Sequence, residues 1–209
     1  MIVGITGAHR TGKTTLARAF VEANPEFAFV PTSVGAIMAQ HGFDPLLDYP
    51  IEERLQIQNI ILTELDRAYA QHASNAVFDR TPLDAAAYFL ADVLRENVGE
   101  QLQWEITQYV ARAIDITNRR FSMLFFVPPV LPYVAEPGKA PAQPAYIEHI
   151  STIINGLRAD ERQRVRSYLL QRNYTDLHTR VKCLEVACGK LLNAHQAEMD
   201  GRADFAVVH

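Results

Sequence analysis

Short apolar runs alternate along this chain with longer stretches in which apolar residues return every three or four positions. The runs are Met1 to Thr6, Phe27 to Val30, Ala76 to Asp79 and Met123 to Val127, with a further candidate at Arg180 to Val186. Each is too short for a helix and reads as a buried strand. The stretches between them have helical spacing. Thr14 to Phe20 places Leu16 and Phe20 on one face, Ile51, Leu55, Leu62, Leu65 and Tyr69 mark a long amphipathic helix, and another lies around Trp104 to Thr117. Thr81-Pro82-Leu83-Asp84 reads as a helix start, with Thr81 as cap, Pro82 in the first turn and Asp84 reaching back, followed by an apolar face of Leu83, Ala87, Leu90 and Leu94. Alternation of this kind predicts an α/β fold, a parallel sheet of about five strands flanked by helices.

Two segments break the rhythm. Pro128 to Pro144 holds six of the eleven prolines and few regular apolar positions. It reads either as a surface excursion or as a flap beside a substrate, because it leaves the carboxyl end of a strand, where open α/β sheets hold their ligands. Gly201 to His209 reads as a disordered tail. The 209 residues suit one domain over 1–209, with 128–172 as a candidate flap and lid region.

Composition narrows the class. A hydrophobic share of 48% and a charged share of 21% are those of an ordinary soluble protein, and no apolar run approaches the ~18 residues of a membrane span. The N-terminus reads as a strand and not as a signal peptide, so the expected location is cytoplasmic, the host cytoplasm if the chain comes from a phage. Cys183 and Cys188 fit no metal spacing and read as inert thiols. A net charge of −4 argues against broad nucleic-acid affinity, although a local basic groove stays open.

The chemistry starts where the first strand ends. Gly7-Ala8-His9-Arg10-Thr11-Gly12-Lys13-Thr14 fits G-x-x-x-x-G-K-[ST] at every fixed position. In that pattern Gly7 and Gly12 let the backbone curl its N–H groups onto phosphate oxygens, Lys13 reaches the β- and γ-phosphates, and the Thr14 hydroxyl ligates Mg²⁺. The expected nucleotide-binding set is Gly7, Ala8, His9, Arg10, Thr11, Gly12, Lys13, Thr14 and Thr15, with ATP and Mg²⁺ as cofactors. His9 sits in the variable part of the motif, with no catalytic role expected of it. Asp79 and Arg80 end the third strand and should emerge beside this loop. Asp79 could hold Mg²⁺ with Thr14 or take a proton from an acceptor, and Arg80 could clamp a phosphate. The plainer alternative is a solvated ion pair. Arg158, Arg162 and Arg166 recur every four residues, which predicts three guanidinium groups on one helix face, with Arg164 and Arg172 nearby. Such a face could close over a transferring phosphoryl group, or it could be a solvated helix with local ion pairs.

Taken together, the Gly7 to Thr14 loop, Asp79-Arg80 with Thr81-Pro82-Leu83-Asp84, Asn155-Gly156-Leu157-Arg158 and the arginine helix resemble the P-loop kinases of the nucleoside and nucleotide kinase group. The similarity is greatest to the branch holding nicotinamide riboside kinase domains and phage kinases that act on nucleotides. It spans nearly the whole chain, although only the phosphate loop is highly specific. The resemblance implies a P-loop NTPase fold with an arginine-bearing lid and an ATP-dependent phosphotransferase in which Lys13, Asp79, Arg80, Arg158 and Arg162 are catalytic. Two departures stand out. Thymidylate kinases follow the Asp-Arg pair with an aromatic residue, whereas Thr81 follows here. Many deoxynucleoside kinases end the second strand in a catalytic glutamate, whereas this chain has Val30-Pro31-Thr32-Ser33, which shifts the expected base to Asp79.

As acceptor the resemblance suggests the hydroxymethyl group of hydroxymethyluracil in phage DNA, a DNA modification. A free nucleoside or nucleoside monophosphate is the alternative. An NTP-hydrolysing switch or motor is a further class, weakened for GTP by the lack of an Asn-Lys-x-Asp motif. The expected partners are thus a nucleoside, nucleotide or modified-DNA acceptor and no membrane, with a homodimer left open.

Overall fold

The computed structural model describes residues 1–93, 98–132 and 143–206. Five strands, β1 (Ile2–Thr6), β2 (Ala28–Val30), β3 (Ala76–Phe78), β4 (Met123–Phe126) and β5 (Arg166–Leu169), form one sheet in the order β2-β3-β1-β4-β5. Every pairing is parallel, with Val3 opposite Val77 on one side and Met123 on the other. The central strand β1 therefore has neighbours reached by crossovers in opposite directions. Its carboxyl end is the switch point at which open sheets leave a crevice.

Among the described residues seven helices flank the sheet: α1 (Lys13–Ala23), α2 (Val34–Gln40), α3 (Ile51–Ala70), α4 (Pro82–Asp92), α5 (Glu100–Arg120), α6 (Pro144–Arg158) and α7 (Leu177–Ala206). Alternation along the strands sorts the core into two layers. Val3, Ile5, Val77, Met123 and Phe125 pack with Leu16 and Phe20 of α1 and Val181 and Leu184 of α7. Phe78, Leu124 and Phe126 face the other way, onto α3, α4, α5 and α6. Both faces are covered, which is why the strands read as nearly continuous apolar runs. No described helix is long and apolar enough to cross a membrane.

Two contacts set the position of α4 against the central strand. Gly4 has no side chain, and a Cβ there would lie 2.7 Å from Thr81 Cγ2 and 2.8 Å from Phe121 Cδ1. The missing methyl lets the start of α4 close onto β1. Beneath it Tyr69, Phe78 and Phe121 pack edge to face, with centroids 4.8 to 5.8 Å apart.

Four strands fall within a residue of their expected ends. The fifth does not. Arg180 to Val186 lies in α7, where Val181, Leu184 and Cys188 are buried at helical spacing, and β5 is the polar, half-exposed Arg166–Leu169 at the sheet edge. The arginine helix is also absent. Helix α6 ends at Arg158, and Asp160 turns the chain by accepting the Arg162 N–H at 2.9 Å, so Arg166 begins a strand. Helix α7 runs on to Ala206, where a tail was expected from Gly201. Leu94 and most of the proline-rich excursion lie outside the described residues. Cys183 and Cys188 are free thiols, both pushed up in pKa by burial, in keeping with an inert role.

Replacing Gly4 by Ala should cost about 1–3 kcal/mol through overpacking against Thr81 and Phe121. Gly189→Ala in α7, whose Cβ would meet nothing within 4 Å, should instead stabilise by about 0.5–1 kcal/mol through helix propensity. Urea midpoints of the two variants should move in opposite directions, and equal shifts would exclude the close packing at Gly4.

Candidate active site

The loop after β1 has the backbone of a phosphate cradle. Gly7 has a φ of 151°, and a Cβ there would run into the Val127 carbonyl oxygen. Arg10 and Gly12 are left-handed, with φ of 60° and 81°, a geometry that gathers successive N–H groups into a concave nest. Thr11 Oγ1 closes the curl by donating to Ala8 O at 3.0 Å. Gly12 caps α1, so the unpaired amides of its first turn, beginning at Lys13, Thr14 and Thr15, complete an anion site at the helix N-terminus.

Lys13 is only 6% exposed, and its Nζ donates to Gly7 O at 2.6 Å and Ala8 O at 2.7 Å. Burial lowers its pKa to about 8; Asp84 pulls it up, Arg80 pushes it down and Asp79 pulls it up again. Thr14 Oγ1 donates to Asp79 Oδ2 at 2.8 Å. This places a hydroxyl and a carboxylate side by side, the small number of hard oxygen ligands with which Mg²⁺ combines phosphates and water. No group of three or more His, Cys, Asp or Glu that could hold a metal ion gathers among the described residues.

Two residues have roles that local sequence reasoning missed. Thr32, just beyond β2, donates its N–H and hydroxyl to Asp79 Oδ1 at 3.1 and 3.2 Å. The strand that carries no glutamate therefore orients the carboxylate of its neighbour. Asp84 caps α4 as its position suggests, accepting the N–H and hydroxyl of Thr81 at 2.7 and 2.8 Å. It also accepts the Thr6 hydroxyl at 3.0 Å and the Gly7 N–H at 3.1 Å. At 1% exposure this carboxylate is fully desolvated, and four donors satisfy it.

A cavity of about 430 Å³ opens beside the loop, lined among others by His9, Met38, Gln58, Arg80, Tyr88 and Tyr146. Tyr88 Oη accepts the His9 N–H at 2.8 Å and lies 2.8 Å from His9 Nδ1. Burial lifts the Tyr88 pKa to about 12, so the phenol stays neutral while it ties His9 to α4. Gln58 Oε1 accepts the Tyr109 hydroxyl at 3.1 Å, which leaves its NH₂ group as donor. Arg80 is half-buried, and no carboxylate among the described residues forms an ion pair with it. A larger hollow of about 670 Å³ between α3 and α5, lined by Trp104 and Arg112, includes no phosphate-loop residue.

Arg158, Arg162 and Arg166 do not share one helix face. Arg166 opens β5 opposite Met123, the first residue of β4, whereas the phosphate loop follows Thr6 at the other edge. Arg162 is paired with Asp160 at 2.8 Å, and Arg158 bonds Asn155 Oδ1 at 2.8 Å and lies over the Phe126 ring. Arg172 bonds Glu148 at 2.6 Å and Pro129 O at 3.2 Å, tying α6 to the start of the proline-rich excursion. The arginine that does reach the loop is Arg180, whose Nη2 donates to Thr11 O at 2.8 Å.

The lowered Lys13 pKa has a measurable sign. Below about pH 8 the ammonium is present in both folded and unfolded chains, at a desolvation cost to the fold. Between about 8 and the unfolded value of 10.5 the folded chain sheds the proton and that cost is relieved, so stability rises with pH there. A polyphosphate beside Nζ favours the charged form. Nucleotide binding at pH 9 should therefore take up protons, seen as calorimetric heats that depend on the buffer, while binding at pH 7 should not. Lys13→Met should abolish the uptake, and its persistence in that variant would assign it to another group.

No curated protein matches the sequence. Among solved structures, deoxyadenosine kinase from M. mycoides with bound dATP superposes at a TM-score of 0.62 and 15% identity, covering 90% of this chain and 99% of that one. NadR in complex with NR gives 0.64 at 14% identity over 88% of this chain, which spans 50% of NadR. YorR from Bacillus subtilis, in complex with phosphorylated GDP, gives 0.51 at 12% identity, covering 93% and 98%. At such identities the likeness is one of fold, the P-loop fold with its five-stranded parallel sheet. In sequence, residues 2–157 match the model of the AAA domain family. That stretch carries the whole site from the phosphate loop to Asp79, Asp84 and Tyr146, and the chain belongs to the AAA domain family.

Proposed function

We propose that this protein is an ATP-dependent kinase that phosphorylates a nucleoside-type acceptor. The observation that carries this reading is the 430 Å³ cavity that shares His9 with the phosphate loop and takes Arg80 from the end of β3. A nucleotide switch needs a phosphate loop; a kinase needs a second compartment beside it. This one is the size of a small-molecule site. Its aromatic and aliphatic walls suit a base, and the Gln58 NH₂ group offers a directed donor for a base carbonyl. The neighbours of similar fold are described with dATP, NR or phosphorylated GDP bound, which agrees with such an occupant.

In this scheme the loop amides and Lys13 hold the β- and γ-phosphates. The acceptor hydroxyl oxygen attacks the γ-phosphorus, the bond to the β,γ-bridging oxygen breaks, and ADP leaves. Thr14 and Asp79 would hold Mg²⁺, which when bound neutralises charge on the transferring group. Arg80, with no carboxylate partner, faces the same task from the acceptor side. The acceptor proton passes to Asp79, whose orientation Thr14 and Thr32 maintain.

A base within DNA, hydroxymethyluracil in particular, is the less favoured acceptor. The arginine face that would have tracked a polymer backbone is dispersed into local pairs such as Arg162 with Asp160.

The test incubates the protein with γ-labelled Mg·ATP and separate pools of nucleosides, nucleoside monophosphates and hydroxymethyluracil-containing duplex DNA. Label should enter the nucleoside pool, and Lys13→Ala should abolish transfer without unfolding the chain. Label in DNA alone, falling steeply with salt, would assign the polymer. ATP consumption with no labelled acceptor in any pool would favour the hydrolytic switch or motor. Asp79→Asn should keep nucleotide binding and lower turnover by about a hundredfold or more. Loss of ATP affinity with a high residual rate would leave Asp79 its metal-holding role alone and place the base elsewhere.

A further inference from the structure

Arg180 is an anomaly of the core. It lies in the second turn of α7 at 2% exposure, among the largest fully buried side chains. No carboxylate among the described residues pairs with it, and its Nε is buried with no hydrogen-bond partner. Its pKa is lowered by burial alone. A buried guanidinium without a counter-charge is costly, and hydrophobic packing of α7 does not require one. The side chain is aimed at the phosphate loop. Nη2 donates to Thr11 O at 2.8 Å, and Nη1 lies 2.9 Å from where a Gly12 Cβ would be.

The geometry of one peptide unit gives this contact a consequence. The Thr11 carbonyl and the Gly12 N–H belong to the same planar trans peptide and point in opposite directions. A donor that fixes this oxygen therefore also fixes the direction of the Gly12 N–H, on the opposite side of the peptide from Arg180. We propose that Arg180 is a positioning residue of the donor site, orienting the Gly12 amide through Thr11 and lending the loop a positive charge that a bound polyphosphate compensates. The inference rests on the phosphate loop binding a nucleotide, as in the reading above, but not on the identity of the acceptor.

The test is direct binding of adenosine, ADP and ATP, measured by calorimetry together with the melting temperature of the free protein. Arg180→Met keeps the bulk and removes the charge and donors. It should bind ADP and ATP about tenfold to a hundredfold more weakly, the scale of a lost hydrogen bond to a charged group. Adenosine affinity should not change, and the free protein should melt no lower than the original. Arg180→Lys, which keeps the charge without the fork, should fall between the two, and it serves as the informative variant if the methionine chain does not fold. ADP affinity equal to the wild type, or adenosine and ADP weakened alike alongside a lower melting temperature, would overturn the proposal and leave Arg180 a packing residue. A wild-type chain that binds no ADP would overturn both readings. A chain that phosphorylates no acceptor, yet loses ADP selectively on Arg180→Met, would sink the kinase alone.

Discussion

The carboxylate of Asp84 is the junction on which the site depends. It joins the last residue of the central strand, the first glycine of the phosphate loop and the first turn of α4 through four hydrogen bonds within 3.1 Å. A buried anion of this kind is tolerable only when its acceptor capacity is met. Each donor is therefore constrained in turn: Thr81 to start the helix, Gly7 to begin the curl, Thr6 to end the strand with its side chain toward α4. Gly4 makes the arrangement reachable by letting Thr81 approach the sheet. The loop curvature is thus set by a side chain from the first turn of α4.

Around this anchor the charges are unequal in their compensation. Lys13 of α1 and Arg180 of α7 bond the loop and Arg80, just after β3, lines the cavity beside it, while the nearby carboxylates are already committed, Asp84 to four donors and Asp79 to Thr14 and Thr32. Burial itself holds the Lys13 pKa down, to about 8. A polyphosphate would supply the missing negative charge in a place that excludes water, where each interaction is stronger than it would be at the surface. Elsewhere several arginines are matched by carboxylates: Arg162 with Asp160, Arg172 with Glu148, Arg120 with Asp66.

What was legible in the chain was local. The motif from Gly7 to Thr14 specifies its own backbone, because a left-handed φ and the absence of a Cβ are properties of glycine itself. The inner strands β3, β1 and β4 could be read because burial on both faces leaves unbroken apolar runs, edge strand β2 because Phe27 to Val30 is apolar throughout, and the start of α4 because Thr81, Pro82 and Asp84 act within one turn. Periodicity failed where two periods were both compatible with the residues. Val181, Leu184 and Cys188 form a helical stripe on α7 that, over seven residues, also passes for an alternating strand. Edge strand β5, half-exposed and led by Arg166 and Ser167, carries no continuous apolar run.

The sequence by itself determined a phosphate-binding loop at the end of a buried strand, with Lys13, Thr14 and Asp79 in reach of it, since strand order and motif spacing bring those residues to one edge of a parallel sheet. Only the tertiary structure decided which other side chains join them. Thr32 bonds a carboxylate 47 positions away, Asp84 a glycine 77 positions away, and Arg180 a carbonyl 169 positions away. The regular spacing of Arg158, Arg162 and Arg166 came apart because Asp160 turns the chain between them. Contacts between residues so distant in sequence are created by the packing of whole elements, and no local pattern of residue types encodes which arginine will end up against the loop.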